Sequence, residues 1–258
     1  MDAPLFSIVT VTLNCADDAL RTAESVLAQD CDNYEYIVKD GGSTDGTVEG
    51  LRRLGVQPLV KPDTGIYDAM NQALPLCAGQ YVYFLNGGDT FHDSHVLGRL
   101  AAQIEPAAAI VYGDVLRQPW NRRSEHPPEL SRCYLFRKNL CHQAWLARLD
   151  VYRRLGGFRI VSPVDGLPQP INSDQEFLWK ALLEERLYAQ RVSFIIADYA
   201  HGGYSAQPKL SAYCRRERWL MLKRFYTPAE MLGFGLRSLY FLNPLKQVVC
   251  RALRRRQV

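Results

Sequence analysis

Apolar and polar positions follow two different periods along the first half of the chain. Phe6-Ser-Ile-Val-Thr-Val-Thr-Leu13 is a run of β-branched and apolar residues, which predicts a buried strand. Over residues 16–29 the apolar positions Leu20, Ala23, Val26 and Leu27 fall at helical spacing. The same reading predicts strands over 34–39, 57–61, 80–85 and 109–112, and helices over 47–54, 65–77 and 93–103. Strands and helices alternating across short loops predict an α/β fold, with a mostly parallel sheet flanked by helices on both faces. Ligands of such sheets bind at the carboxyl ends of the strands. Asn14 follows the first strand, Asp40 the second, Lys61 ends the third, and Asn86 and Asp89 follow the fourth.

The second half is less regular. Residues 118–128 are polar and Pro-rich and predict a mobile loop. A helix is predicted over 145–155, stopped by Gly156-Gly157, and a loop over 161–172, which holds Pro163, Pro168 and Pro170. Ser173 would cap a helix running through Leu183, with Glu176 completing a capping box. Residues 188–197 predict a strand. Beyond Gln207 the pattern is helical and basic to the end.

Composition narrows the class. With 258 residues, 47% hydrophobic and 22% charged, the chain is ordinary globular material long enough for a sizeable core. Its seven cysteines are scattered and none forms a C-x-x-C pair, which argues for reduced thiols and against a zinc site. The start lacks the basic and apolar regions of a secretion signal, and the best apolar stretch, 231–242, is short and interrupted by Arg237. A cytoplasmic protein is expected. The net charge of +4 is uneven: from Lys209 onward twelve Lys/Arg face two Glu, a net of +10, which leaves −6 on the preceding residues. Such a tail suggests an anionic partner.

Two segments carry chemistry. Asp40-Gly-Gly-Ser-Thr-Asp-Gly-Thr47 joins a strand to a helix, and its glycines permit backbone angles that side chains forbid. It reads either as a nucleotide-binding loop or as a tight turn with a helix cap. It has neither a P-loop lysine nor the Rossmann glycine spacing. Tyr83-Phe-Leu-Asn-Gly-Gly-Asp89 brings a carboxylate through two glycines, suited to a diphosphate with a hard divalent cation, or else to capping the next helix.

In order along the chain, Asp40 to Thr47, Asp63-Thr-Gly-Ile-Tyr-Asp-Ala-Met-Asn71 and Phe84-Leu-Asn-Gly-Gly-Asp89 closely resemble the family 2 glycosyltransferases of the GT-A fold. The resemblance continues through His142-Gln143, Gly156-Gly157-Phe158, Asp174 and His201, and looks closest to enzymes of bacterial capsule, exopolysaccharide or O-antigen synthesis. It implies a GT-A catalytic domain over 1–207, with a nucleotide-sugar-binding half at 1–115 and an acceptor half at 116–207. A basic amphipathic helical tail over 208–258 would follow.

By this resemblance Thr12, Asn14 and Asp40 would surround the base and ribose, Lys61 and Asp68 would line the same pocket, and Asn86 would contact ribose or phosphate. Asp89 would hold Mn²⁺ or Mg²⁺, together with His201. Where the family carries Asp-x-Asp-Asp, this chain has Asn86-Gly87-Gly88-Asp89, so fewer carboxylates are left to hold a cation. Asp174 would be the base that deprotonates the acceptor hydroxyl, with Glu176 in reserve. His142, Gln143 and Arg148 would touch donor or acceptor sugar, and Asp114 reads as a turn residue.

The implied activity is inverting transfer from a nucleoside-diphosphate sugar, a UDP-sugar first, to a glycan or lipid-linked saccharide. A binding protein of the same fold that has lost activity is the alternative, motivated by the reduced Asn-Gly-Gly-Asp loop. The tail interleaves Arg and Lys with Trp219, Leu220, Leu222, Phe225 and Tyr226, and reads equally as an anionic-membrane contact or as a helix packed on the catalytic domain. No motif points to nucleic acid.

Overall fold

The computed structural model describes residues 3–200, 202–203 and 207–242, the side chains of 237–242 excepted. Strands β1 (Phe6–Thr12), β2 (Tyr34–Asp40), β3 (Leu59–Val60) and β4 (Tyr81–Phe84) alternate with helices α1 (Ala16–Leu27), α2 (Thr47–Arg53) and α3 (Ile66–Ala73). There follow β5 (Thr90–Phe91), α4 (Val96–Gln103), β6 (Ile110–Arg117), β7 (Arg122–Ser124), α5 (Arg132–Arg137), β8 (Trp145–Arg148) and α6 (Leu149–Leu155). The described chain ends with α7 (Ser173–Trp179), β9 (Ala189–Tyr199), α8 (Ser211–Phe225) and α9 (Pro228–Leu242).

One sheet runs in the order β3-β2-β1-β4-β8-β6-β9-β5, with β7 paired to β6. β3, β2, β1 and β4 are parallel, as the alternation predicts. The second half adds antiparallel pairs, because β8 inserts between β4 and β6 in the opposite direction. Strand alternation feeds two cores. Val9, Val82 and Phe84 face α3, α6 and α7 through Met70, Tyr152 and Phe177. Ile8, Tyr81 and Tyr83 face α1 and α4 through Val26, Val96 and Leu100. Each fully buried side chain of this size contributes roughly 1.5–3 kcal/mol, so both faces of the sheet are covered at a gain.

Four local expectations change. Residues 145–148 form a strand rather than the first turn of a helix. Trp145-Leu-Ala is buried between two neighbouring strands, and a short run buried on both sides shows no diagnostic period. Within 118–128, Arg122–Ser124 pairs with β6 as a charged edge strand, and Arg123 reaches the fully buried Asp114 with Nε at 2.8 Å. Asp114 also accepts from Arg191, so it is a buried ion-pair centre rather than a turn residue. At α7 the N-cap is Asn172, and the hydroxyl of Ser173 is buried without a partner.

Beyond Gln207 the described chain is helical in α8 and α9, and residues 243–258 lie outside the described residues. α8 buries Glu217, Met221 and Phe225, one helical turn apart, and its Met221 and Phe225 pack with Tyr226, Trp179 and Leu135. Packing is therefore continuous across residue 207. Among the described residues no helix is long and apolar enough to cross a membrane.

Candidate active site

The loops after β1 and β2 are stitched together. Gly41 N–H donates to Thr12 O, Asn14 N–H to Ser43 Oγ, and Thr44 N–H to Asn14 Oδ1. Ala16 N–H reaches Asp45 Oδ2, tying the start of α1 to the same loop. Asp40 is fully buried and accepts from Gly42 N, Ser43 N and Ser43 Oγ at 2.5–2.8 Å, so its carboxylate closes its own loop. Thr12 Oγ1 lies 3.0 Å from Cys15 Sγ. An open cavity of about 510 Å³ beside these loops is lined by Asn14, Cys15, Ala16, Asp17, Asp18 and Asp45.

The second loop is equally constrained. Gly88 has φ +102°, a conformation that glycine adopts without strain, and its N–H donates to Thr22 Oγ1 on α1. This turn carries Asp89 into the interior, where it is only 5% exposed. Asp89 accepts from the amide of Gln143 and, at 2.8 Å, from the backbone N–H of Ala200. Burial pushes its pKa up to about 7 against those hydrogen bonds, and the nearby Asp18 carboxylate adds to the rise. Asn86 Oδ1, on the same loop, is enclosed without a hydrogen-bond partner.

Asp174 stands in the first turn of α7. Tyr67, from α3, donates its phenol to Asp174 Oδ1 at 2.8 Å, and His142 Nδ1 lies 3.4 Å from Oδ2. At that distance the imidazole faces the carboxylate without forming a well-formed hydrogen bond. Burial pushes Asp174 up, but His142 and the Tyr67 hydroxyl outweigh it and leave the carboxyl below its ordinary range. His142 sits among the rings of Phe84, Trp145 and Phe158, and neither of its enclosed nitrogens has a hydrogen-bond partner within normal distance. Cys141 and Tyr199 each feel the charges of both Asp89 and Asp174, so the two carboxylates flank one region.

Residues 7–159 match the model of the family described as glycosyl transferase family 2. The chain belongs to glycosyl transferase family 2. It is 33% identical over 212 residues to a PGL/p-HBAD biosynthesis glycosyltransferase of Mycobacterium tuberculosis, covering 79% of each chain. An uncharacterized glycosyltransferase of the same organism is 30% identical over 192 residues, 70% of each chain.

Among solved structures, S. aureus TarS 1–349 in complex with UDP-GlcNAc superposes with a TM-score of 0.65 at 17% identity, covering 92% of this chain and 73% of that one. Another S. aureus TarS structure is longer, and this chain spans 37% of it. Mannosyltransferase PcManGT from Pyrobaculum calidifontis, in complex with GDP-Man and Mn²⁺, gives a TM-score of 0.60 at 16% identity, covering 95% of this chain and 83% of that one. These likenesses establish the GT-A fold, and the family relation makes the chain a glycosyltransferase.

Within this glycosyltransferase Gln143 meets Asp89, and its neighbour His142 lies with Tyr67 against Asp174. Arg148 is not brought to them. It pairs in register with Tyr81 at the amino end of β4 and chelates Asp150, so it faces away from the carboxyl ends where ligands bind. Lys61 is exposed at the end of β3, and its backbone N–H donates to Asp40 O. Asp68 caps the start of α3 by accepting from Thr64 N and Oγ1. His201 lies outside the described residues.

A divalent cation fits this site sparsely. Among the described residues no three His, Cys, Asp or Glu are grouped to hold one. Asp89 and the orphaned Asn86 Oδ1 are the protein oxygens suited to it, and donor phosphates would complete the coordination.

Residues outside the sequence-based set also matter. Tyr67 lies inside the Asp63 to Asn71 motif, yet nothing in its neighbourhood signals a bond 107 positions away. Gly65, at φ +141°, would drive a Cβ to 1.8 Å from Gln169 Oε1, and that oxygen accepts from Ile66 N–H, docking the 161–172 loop on α3. Glu217, one of the two acids of the basic tail, is fully buried.

Proposed function

We propose that this glycosyltransferase inverts the anomeric centre, moving a sugar from a nucleoside-diphosphate sugar to a saccharide or lipid-linked saccharide of the cell surface. The observation that carries the reading is the Asp174 carboxylate. It is ionised at neutral pH, held by Tyr67 and His142, and keeps 18% of its side-chain surface open. Both nitrogens of His142 are enclosed, which favours Asp174 over His142 as the group that meets the acceptor.

In the mechanism Asp174 takes the proton of the acceptor hydroxyl as its oxygen attacks the anomeric carbon. The bond to the diphosphate breaks, and its electron pair leaves on the phosphate oxygen. A single displacement inverts the centre. Asp89 and Asn86 would hold a divalent cation, which when bound neutralises the diphosphate charge. The cavity lined by Asp17, Asp18 and Asp45 strengthens the need for such a countercharge, with Arg21 paired to Asp18 beside it. The UDP-GlcNAc bound by TarS and the GDP-Man bound by PcManGT support a nucleotide sugar as donor.

Arg215, Trp219 and Lys223 form an exposed stripe on α8, and Leu232 and Leu236 are exposed on α9. This favours peripheral contact with an anionic membrane, where a lipid-linked acceptor resides. Charge reversal at Arg215 and Lys223 should lower sedimentation with phosphatidylglycerol vesicles, and unchanged sedimentation would refute the contact.

The deciding experiment is hydrolysis of a panel of UDP- and GDP-sugars by the unaltered chain and by Asp174→Asn. Turnover of at least one donor is expected, reduced by about 10²–10⁴-fold in the variant while nucleoside-diphosphate binding persists. Equal turnover by the variant removes Asp174 from the mechanism. Binding without turnover of any donor by the unaltered chain supports the inactive binding protein instead.

A further inference from the structure

The C-terminal helix α8 sends one fully buried carboxylate, Glu217, into the catalytic half. Its Oε2 accepts from Ile171 N–H at 2.8 Å, Asn172 N–H at 3.1 Å and Asn172 Nδ2 at 3.1 Å. Its Oε1 accepts from Arg159 at 2.7 Å, and the same guanidinium bonds Glu176 on α7 through Nε at 2.6 Å. Arg224, also on α8, closes the network on Glu176 Oε1 at 2.8 Å.

These contacts converge on the segment that sets the base. Asn172 is the N-cap of α7, and its carbonyl accepts from Glu176 N–H. The carbonyl of Ile171 shares the Tyr67 phenol with Asp174. Glu217 therefore grips the peptide whose next atoms hold both the start of α7 and the hydrogen-bond donor to Asp174. With both oxygens occupied and no surface exposed, Glu217 cannot itself meet a substrate.

We infer that Glu217 is a positioning residue for the base, so that the C-terminal helix completes the active site rather than only appending to it. The inference rests on Asp174 acting as the base. A short, buried charge-assisted contact fixes backbone geometry more tightly than a neutral one. Displacing a base by about 1 Å costs on the order of 10²-fold in rate. Glu217 differs in this from Met221 and Phe225, which face the Trp179 cluster and serve packing.

The test uses the full chain and whichever of UDP-glucose, UDP-N-acetylglucosamine, UDP-galactose and GDP-mannose it hydrolyses fastest. Glu217→Gln is expected to lower kcat about 10–100-fold with the donor KM unchanged. Combined with Asp174→Asn, it should cause no further loss, because the two act through one group. Should Glu217→Gln melt below the assay temperature, Asn172→Ser removes the side-chain bond to Glu217 while leaving a residue type suited to a helix N-cap, with a smaller kcat loss and the same non-additivity expected. Unchanged kcat in the variant that folds overturns the inference, as do losses that multiply with Asp174→Asn or appear in KM, since these mark general structural damage. An Asp174→Asn variant that retains hydrolysis overturns the base itself, and with it this inference.

Discussion

The phenol of Tyr67 stands 2.8 Å from Oδ1 of Asp174 and 2.8 Å from the carbonyl oxygen of Ile171. One hydroxyl proton thus serves two acceptors, and the carboxylate is held by a group from a helix in the other half of the chain. The phenol's own pKa is raised well above its usual value, by burial first and then by the Asp174 charge, so it remains a donor throughout the working range.

Tyr67→Phe removes that donor and relaxes Asp174 upward toward its ordinary value. A base with a raised pKa loses its ionised form at higher pH, so the acid limb of the kcat profile should move up. The kcat at pH 7 should fall roughly 3–10-fold with nucleotide affinity unchanged, since one hydrogen bond is worth about 1 kcal/mol. A donor-hydrolysis profile extended down to about pH 3 checks this. An unmoved acid limb would separate Tyr67 from the base.

Asp89 makes the metal-free protein sensitive to pH. Its folded pKa of about 7 stands above the unfolded carboxyl value near ~4, so the folded chain holds a proton that the unfolded chain has lost. Stability therefore falls as pH rises from about 4 to about 7, by up to about 4 kcal/mol. His126, pushed down to about 4 by burial, acts in the opposite sense between about 4 and 6.5, so parent and variant must be compared. Asp89→Asn should remove the Asp89 share of the slope in thermal melts at pH 5 to 8. Parallel melting curves for the two proteins would refute the buried, proton-binding carboxylate.

A cation offsets that same cost. Mn²⁺ and UDP should each tighten binding of the other, read by calorimetry, and Asp89→Ala should abolish the coupling. With one carboxylate and Asn86 as the protein ligands, Mn²⁺ alone should bind weakly and the coupling should exceed about tenfold. Independent binding of the two would show that the leaving group is stabilised without a cation at Asp89.

Truncation after residue 207 should destabilise the body rather than trim an appendage. It uncovers Trp179 and leaves the Ile171 and Asn172 N–H groups and Arg159 without Glu217. A hydrogen bond to a carboxylate is worth about 1.5–3 kcal/mol and burial of a large apolar side chain about the same, so a loss upward of about 4 kcal/mol is expected. Thermal melting of the truncated chain measures it, and an unchanged midpoint would mean that α8 is dispensable to the fold.

Much of the first half was legible in the sequence because its burial pattern is local. Residues 6–12 read as a strand and are a strand, and Asp40 and Asp89 lie at the strand ends where the pattern puts them. The 145–148 strand was not legible, since Trp145-Leu-Ala fits a buried helix as well as a buried strand. The charged Arg122–Ser124 edge looked like a loop because its stabilising partner, Asp114, is on another strand.

The sequence by itself determined the alternation of strands and helices, the two glycine loops and the family, because each is written in the order and spacing of neighbouring residues. The tertiary structure alone decided who touches whom: Gln143 on Asp89 across 54 positions, Tyr67 on Asp174 across 107, and Glu217 on Ile171 across 46. Periodicity says which face of an element is buried. Which side chain meets it there depends on sheet order and helix docking, and those follow from the packing of the whole core.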